Sequence, residues 1–142
     1  MDYRINNEAI VGCVIAQVVK RGPYEVPFVI GITNLLLQKK LRDIVRKTSA
    51  DNVDELGLLY GQLDGDLLGV MMNSLTMLIE GGCIERKEGN LLIAESGLQL
   101  CDDMLEGKSK LLAAVLKDMD VVLFKYDGID KRRLYDKMWI AV

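Results

Sequence analysis

From Leu67 to Leu105 the spacing of apolar residues changes from a helical period to a strand period and back. A helical stripe stops at Gly81-Gly82, short apolar runs follow on both sides of a Glu-Gly-Asn turn, and a second helical stripe begins near Glu95. Glycines end helices, and a short turn between two such runs indicates a hairpin. The pattern predicts a helix, strands Ile84–Lys87 and Leu91–Ile93 joined by a tight Gly-Asn turn, and a helix over residues 95–106 with Leu98, Cys101 or Leu100, and Leu105 facing inward.

Helix, hairpin and helix in this order are typical of winged-helix domains, which bind nucleic acid or other proteins and rarely catalyse reactions. We therefore expect a mainly α protein with a small β-hairpin wing: a winged-helix-like single domain with extra N- and C-terminal helices. The length of 142 residues fits one domain. Within it we assign residues 1–62 to the N-terminal helices, 63–106 to the helix-wing-helix core and 107–142 to the C-terminal helices.

Further helices are predicted on both sides of this core. Asn6 or Asn7 can cap a first helix, which Lys20-Arg21-Gly22-Pro23 ends because glycine and proline stop propagation. A long apolar stripe predicts a helix from Phe28 to Lys47 with a possible break near Gly31. The remaining expectations are an extended connection over Tyr24–Pro27, a short helix over Asp51–Tyr60 with Leu56, Leu58 and Leu59 inward, a cap at Asp64 or Asp66, and helices over Lys108–Phe124 and Lys131–Met138.

Composition argues against an enzyme. The chain has no histidine, which removes Ser-His, Cys-His and His-metal chemistry, and it has no glycine-rich phosphate loop. Cys13, Cys83 and Cys101 lack paired spacing and are expected to be reduced thiols rather than zinc ligands. We predict no catalytic residue, no cofactor and no metal. Because there is no signal peptide and no apolar run of about 18 residues, we expect a cytoplasmic protein without membrane contact.

The basic residues have two interpretations. The net charge of −3 and the absence of Lys and Arg from the helix before the hairpin argue against autonomous DNA binding, which depends on cations that meet phosphates. A charge run is usually a solvated face. The basic residues could also contact DNA or an acidic partner inside a complex, and the candidates are Lys39, Lys40, Arg42, Arg46, Arg86, Lys87, Lys131, Arg132, Arg133 and Lys137.

Apolar density favours a protein partner. The segments Ala9–Val19 and Phe28–Leu37 have few polar positions, and Met71, Met72 and Met77 add adaptable surface. We expect more apolar surface than a small domain hides, which is typical of a protein contact. The candidate partner-binding residues are Phe28, Ile32, Leu35 and Leu36, together with Tyr135 and Trp139 in an aromatic carboxyl-terminal segment.

Four features in order resemble a known family. They are a helix start at Asn6-Asn7-Glu8, a Pro27-Phe28 segment that opens a leucine-rich helix with a basic end (Leu35–Lys47), the helix-wing-helix core with its wing IERKEGNLLIAESG, and a helical carboxyl-terminal segment, Leu111–Val142. Together they resemble the middle component of bacterial ABC three-component systems, which includes the small subunit of Lamassu-type defence complexes.

The resemblance implies a non-catalytic accessory or adaptor subunit. Such a subunit would bind an SMC- or Rad50-like ABC ATPase and couple it to an effector, a nuclease or similar, in an anti-phage or anti-plasmid defence complex, with DNA contacted only within the complex. Two alternatives stay open: a dimeric winged-helix DNA-binding transcription regulator, and a kleisin-associated winged-helix adaptor. A regulator purified alone should be a dimer whose DNA affinity falls steeply with salt, whereas an adaptor should bind little DNA until its ATPase is present.

Overall fold

The computed structural model describes residues 8–107 and 109–141 of the chain, of which residues 139–141 are described by their backbone alone. The described residues form eight helices and three short strands, so the protein is mainly helical with a small antiparallel sheet, as predicted. No helix in this part of the chain combines the length and apolar character needed to cross a membrane. In chain order the elements are α1 (Glu8–Lys20), β1 (Tyr24–Glu25), α2 (Val26–Leu37), α3 (Lys39–Lys47), α4 (Val53–Tyr60), α5 (Gly65–Glu80), β2 (Ile84–Lys87), β3 (Asn90–Ile93), α6 (Glu95–Glu106), α7 (Lys110–Asp127) and α8 (Lys131–Ala141).

The sheet has its strands in the order β1-β3-β2, and both pairings are antiparallel. The predicted hairpin is confirmed, since β2 pairs with β3 along its whole length. Its turn lies one residue earlier than the predicted Gly-Asn turn. Glu88 (φ 54°) and Gly89 (φ 83°) form the two-residue loop, and Asn90 is already in β3. A type I′ hairpin turn requires two successive positive φ angles, which glycine adopts without a side-chain clash.

The first strand differs from the expected extended connection over Tyr24–Pro27. The two residues of β1 pair with Leu91 and Asn90 of β3, and α2 already begins at Val26. Pro27 lies in the first turn of α2, where its missing N–H has no helical partner to lose. Two residues are too few to show a strand period in a sequence, so this pairing emerges only from the fold.

Helices α1 and α2 form the centre of the core. α1 packs against α2, α5 and α6, while α2 also contacts α3, α4, α5, α7 and α8. Every residue of α2 from Phe28 to Leu37 is buried. A helix that is apolar around its whole circumference is typical of an enclosed position. This enclosure explains why the sequence has so few polar residues in the segment.

The break in the long second helical segment lies at Gln38, not near Gly31. Gln38 is extended (φ −106°, ψ 104°) and separates α2 from α3. Its side-chain amide donates to the Asn34 side-chain oxygen at 2.8 Å, and the Asn34 amide donates to the Gln62 carbonyl oxygen at 2.9 Å. Because Asn34 is fully buried, these bonds satisfy its polar atoms and fix the end of α2 against the connection between α4 and α5.

The inward faces of α4 and α6 are partly different from those predicted. In α4 the buried leucines are Leu56 and Leu59, as predicted, and in α6 the buried side chains include Cys101 but also Met104. The close approach of α6 to the hairpin at Gly97, where the Cys83 carbonyl leaves no room for a side chain, sets the inward face of α6. The leucines that were expected inward but are exposed are Leu58, Leu98 and Leu105.

The last two helices are longer than predicted. α7 is continuous to Asp127, and α8 continues to Ala141. Asp130 precedes α8 as expected, and its carboxylate accepts the Arg132 backbone N–H at 3.1 Å. At the other end of the chain, the predicted cap of α1 at Asn6 or Asn7 lies outside the described residues.

Candidate protein-binding surface

Helix α5 presents one face to the core and the other to solvent. Asp64, one of its two predicted caps, accepts the Leu67 N–H at 2.9 Å, and Gly81 ends the helix. On the inner face the buried Ser74 hydroxyl donates to the Glu8 carbonyl oxygen of α1 at 3.0 Å. The sequence of α5 contains no Lys or Arg, so it offers no charged contact to phosphates. We define the α5 ridge as its exposed small or polar residues Gly69, Asn73, Thr76 and Glu80.

A groove of about 380 Å³ lies on one side of the α5 ridge, between α2, α5 and α8, and is called the C-terminal groove. Among its described lining residues Tyr135 has the only hydroxyl, amide or charged side chain, and its hydroxyl donates to the Glu25 carboxylate at 3.1 Å. Burial and the neighbouring Glu25 raise the pKa of Tyr135 above its usual value, so the hydroxyl stays protonated. The lining comprises Val26, Pro27 and Ile30 of α2, Leu63 of the loop before α5, Leu68 and Met72 of α5, and Tyr135 and Met138 of α8.

A second groove, of about 310 Å³, lies on the other side of the α5 ridge between α1, α5 and α6, and is called the N-terminal groove. Its lining is chemically more mixed, because Glu8 and Ser74 contribute along with apolar side chains. Burial raises the pKa of the Cys13 thiol, so Cys13 stays protonated at neutral pH. The lining comprises Glu8, Ala9, Gly12 and Cys13 of α1, Ser74, Met77 and Leu78 of α5, and Leu100 of α6.

Met72 and Met77 place one exposed methionine in each groove. Met72 is 42% exposed and lines the C-terminal groove, and Met77 is 60% exposed and lines the N-terminal groove. Their positions on one helix differ by roughly 140° around its axis, so they flank the α5 ridge. Methionine is unbranched and adapts to partners of different shape. A small polar ridge between two apolar grooves is an arrangement suited to contact with another protein.

Four of the six partner-binding candidates from the sequence belong to the core. They present no surface to a partner in this fold, because the helices packed around α2 enclose them completely. Tyr135 does lie at a surface, in the C-terminal groove. The Trp139 side chain lies outside the described residues. The four enclosed side chains are Phe28, Ile32, Leu35 and Leu36.

The basic cluster on α3 is largely paired within the protein. Arg42 is buried and bound to an aspartate of α7, so the structure removes it from the candidate nucleic-acid contacts. Asp43 accepts bonds from Lys39 at 2.8 Å and Arg46 at 2.9 Å. The bond from Lys39, with the nearby Arg46 and Arg42 charges, lowers the pKa of Asp43. The exposed α3 cations without an ion pair among the described residues are Lys40 and Lys47.

The basic residues of α8 are also mostly engaged. Lys131 Nζ donates to three carbonyl oxygens around the end of α7 and lies 4.7 Å from the centre of the Phe28 ring. Arg133 pairs with Asp54, and the stem of Lys137 packs near Gly57 of α4. The α8 cation that is exposed and has no ion pair in the described part of the chain is Arg132.

Arg86 and Lys87 are exposed on β2, next to the hairpin turn. Neither forms an ion pair with the residues that the structure describes, so both are available to an external anion. Glu85 and Glu88 are exposed beside them and reduce the local positive potential. Arg86 and Lys87 are therefore exposed cations of the hairpin without a broader basic surface around them.

The C-terminal groove is assembled from distant parts of the sequence. Its lining runs from Val26 to Met138, and only the packing of α2 against α5 and α8 brings these residues together. The local signal available in the sequence is the Leu68 and Met72 pair, which four positions of a helix place on one face. An apolar pair of this kind is usually part of a core, so it does not reveal a surface groove by itself.

Comparison with protein-family models, with curated proteins and with solved structures finds no match for this chain. Its function must therefore be inferred from its own surface and sequence.

Proposed function

We propose that this protein is a non-catalytic winged-helix accessory subunit that binds another protein through the outer surface of α5. The observation that carries the proposal is the α5 ridge, with an apolar groove and an exposed methionine on each side. A helix without cations is poorly suited to phosphates, whereas apolar grooves beside a small ridge suit a protein surface.

The order of the elements supports a winged-helix assignment. α5 leads directly into the β2–β3 hairpin, α6 follows the hairpin, and β1 completes the sheet from the far side of β3. In such domains the helix before the hairpin is the one that reads DNA. Here that helix is α5, whose outer face carries methionine, small and acidic residues instead of cations. We therefore propose that α5 contacts a protein in this chain, in place of DNA.

The sequence resemblance to the middle component of bacterial ABC three-component systems supports a more specific partner. On this proposal the protein binds an SMC-like ABC ATPase and couples it to an effector subunit in an anti-phage or anti-plasmid defence complex. DNA is contacted only within the assembled complex. Arg86 and Lys87, which are exposed at the wing, are the side chains available for that contact.

Co-expression of the tagged full-length protein with the products of its neighbouring genes tests the proposal. We expect a stable complex whose mass, measured by light scattering, includes a large coiled-coil ATPase. The double variant Asn73→Arg/Thr76→Arg should lose the partner, because two long charged side chains on the α5 ridge prevent close packing. The matched control is Ala113→Arg/Val121→Arg, which also adds two charged side chains at exposed positions of α7 and should keep the partner. Failure of the wild-type protein to form any complex would overturn the proposal.

A dimeric winged-helix transcription regulator is the second candidate, favoured by the unpaired cations of the wing. It predicts that the protein alone is a homodimer whose affinity for duplex DNA falls steeply with salt. Arg86→Glu/Lys87→Glu would then abolish DNA binding, whereas Lys117→Glu on α7 would not. A third alternative is a kleisin-associated adaptor. In that case the co-purified partner would include a kleisin, and not only the ATPase.

A further inference from the structure

We infer that the C-terminal groove receives an amphipathic helix of the partner protein, with apolar side chains inserted in the groove and Lys or Arg along its edge. This inference rests on the proposed function, because it names the surface and the kind of segment through which the partner is held. It follows from the lining, the walls and the charges of the groove.

The lining explains the apolar side of the expected segment. Aliphatic and methionine side chains from three helices form the walls, and the Tyr135 hydroxyl is already bound to Glu25. A volume of about 380 Å³ accommodates more than one aliphatic side chain. Met72 at the edge is exposed and flexible enough to close over an inserted side chain. Polar side chains would lose their hydration here without gaining a hydrogen bond.

The walls explain why the segment should be helical. The backbone hydrogen-bonding groups in the interiors of α2, α5 and α8 are used inside those helices, so the groove offers few partners to the backbone of an extended peptide. A helix satisfies its own backbone groups and presents apolar residues at positions i, i+3, i+4 and i+7. The neighbouring strand β1 is only two residues long, which leaves little edge for strand addition.

The charges near the groove explain the basic edge. Glu25, whose carboxylate accepts the Tyr135 bond, is exposed at the groove, and the exposed Asp64 and Asp136 adjoin lining residues in the sequence. The adjoining cation, Lys137, is half-buried with its stem against α4. An acidic rim attracts Lys and Arg on a partner and steers its approach. The N-terminal groove lacks this combination, since its acid Glu8 belongs to the lining itself and its volume is smaller.

Site-specific photo-cross-linking in the co-expressed complex tests the inference. p-Benzoylphenylalanine replaces Met72 in the C-terminal groove, and in a matched variant it replaces Met77 in the N-terminal groove. We expect position 72 to cross-link to a partner segment, identified by mass spectrometry, with helical apolar spacing and flanking Lys or Arg. The full-length chain is used throughout, so both variants share the same fold and partner.

Affinity measurements on the purified partner supply the second readout. Met72→Glu should weaken binding by about tenfold or more, while Val121→Glu, at an equally exposed apolar side chain on α7, should stay within about threefold of the wild type. Asp136→Lys should slow association and reduce its dependence on salt, because it removes part of the acidic rim. Circular dichroism of each variant checks that the helical content is unchanged.

The outcomes separate this inference from the proposed function. An intact complex that does not cross-link at position 72, or whose affinity is the same for Met72→Glu and wild type, overturns the groove assignment and leaves the proposed function standing. A cross-link from position 72 to residues 139–142 of this chain or of a second copy assigns a different occupant and also overturns it. Absence of any complex with the wild-type protein overturns the proposed function itself.

Discussion

Arg42 and Asp118, which are 76 positions apart in the sequence, form a buried ion pair that joins α3 to α7. Arg42 Nε lies 2.9 Å from Asp118 Oδ2, and the two side chains are only 5% and 10% exposed. Arg42 Nη1 also donates to the Leu36 carbonyl oxygen at 2.6 Å, at the end of α2. After the break at Gln38, the pair therefore fixes the orientation of α3 relative to α2 and α7.

Removing one member of this pair should be costly. Asp118→Ala leaves the Arg42 charge buried without its partner, and we expect the free energy of unfolding to fall by about 3–5 kcal/mol. Urea denaturation followed by circular dichroism measures the change. Asp43→Ala on α3 is the control, because the ion pairs of Asp43 are exposed and are expected to contribute about 0–1 kcal/mol. Equal effects of the two substitutions would contradict a special role for the buried pair.

Gly31 and Gly69 should respond in opposite directions to the same substitution. A methyl group at Gly31 would overlap the Tyr60 ring, which is fully buried and held by its hydroxyl bond to Pro27, so Gly31→Ala should destabilise by about 1–3 kcal/mol. At Gly69 no atom lies within 4 Å of the added carbon, and alanine favours the helix by about 0.5–1 kcal/mol. Thermal melts of both variants show whether each substitution raises or lowers the stability. Stabilisation by Gly31→Ala would refute the close contact with Tyr60.

Alkaline pH should unfold the protein through its buried tyrosines. Tyr60 donates to the Pro27 carbonyl at 2.6 Å and Tyr126 donates to the Leu56 carbonyl at 2.7 Å. Burial raises the pKa of both hydroxyls well above the usual value of about 10. The native state keeps them neutral while the unfolded state ionises, so their contribution is complete below about pH 10 and is lost as the pH rises further.

We expect the free energy of unfolding to fall by about 1.4 kcal/mol per pH unit for each of these tyrosines above pH 10. Urea titrations at several pH values measure the slope, and absorbance at 295 nm should show the two hydroxyls ionising together with unfolding. Tyr126→Phe removes one titrating group and should make the slope shallower, although it loses a hydrogen bond worth about 1 kcal/mol at neutral pH. A slope that this variant leaves unchanged would rule out Tyr126 as a source.

Lys125 should stabilise the end of α3 from its position on α7. Its Nζ donates to the carbonyl oxygens of Val45, Arg46 and Thr48 at 2.7–2.8 Å. Positive charge at a helix carboxyl end is favourable, so Lys125→Met should lower the free energy of unfolding by about 1–2 kcal/mol. Lys117→Met on the exposed face of the same helix should change it by less than about 0.5 kcal/mol. Similar losses in both variants would show that the capping bonds contribute nothing.

The helix-hairpin-helix unit was predictable because its signals are local. Gly81-Gly82 ends one helix, and the glycine-containing turn of the hairpin lies between two short apolar runs. The exact turn residues depend on the pairing register, which the sequence does not display, so the turn was predicted one residue late. β1 was missed for the same reason, since its pairing with β3 connects residues far apart in the chain.

Burial was harder to predict than secondary structure. The apolar density of α2 is evident from the sequence, but the sequence does not say how many helices enclose it, so Phe28 and Leu35 were assigned to an interface and lie in the core. Arg42 belongs to a run of basic residues that is typical of an exposed helix face, and its partner Asp118 is in another helix. Sequence periodicity identifies faces of single elements, whereas the partners of those faces depend on the tertiary arrangement.

The connection between α4 and α5 divides the chain into two halves. Both the sheet and the helical core are built from residues of the two halves together. β1 lies in the first half and β2 and β3 in the second, while α1 and α2 pack against α5, α7 and α8 across the division. A backbone cut between Gln62 and Leu63 would thus give two fragments, neither of which can bury its apolar surface alone. Mixed together, they should reassemble by fragment complementation, which would make this chain a candidate scaffold for a split reporter.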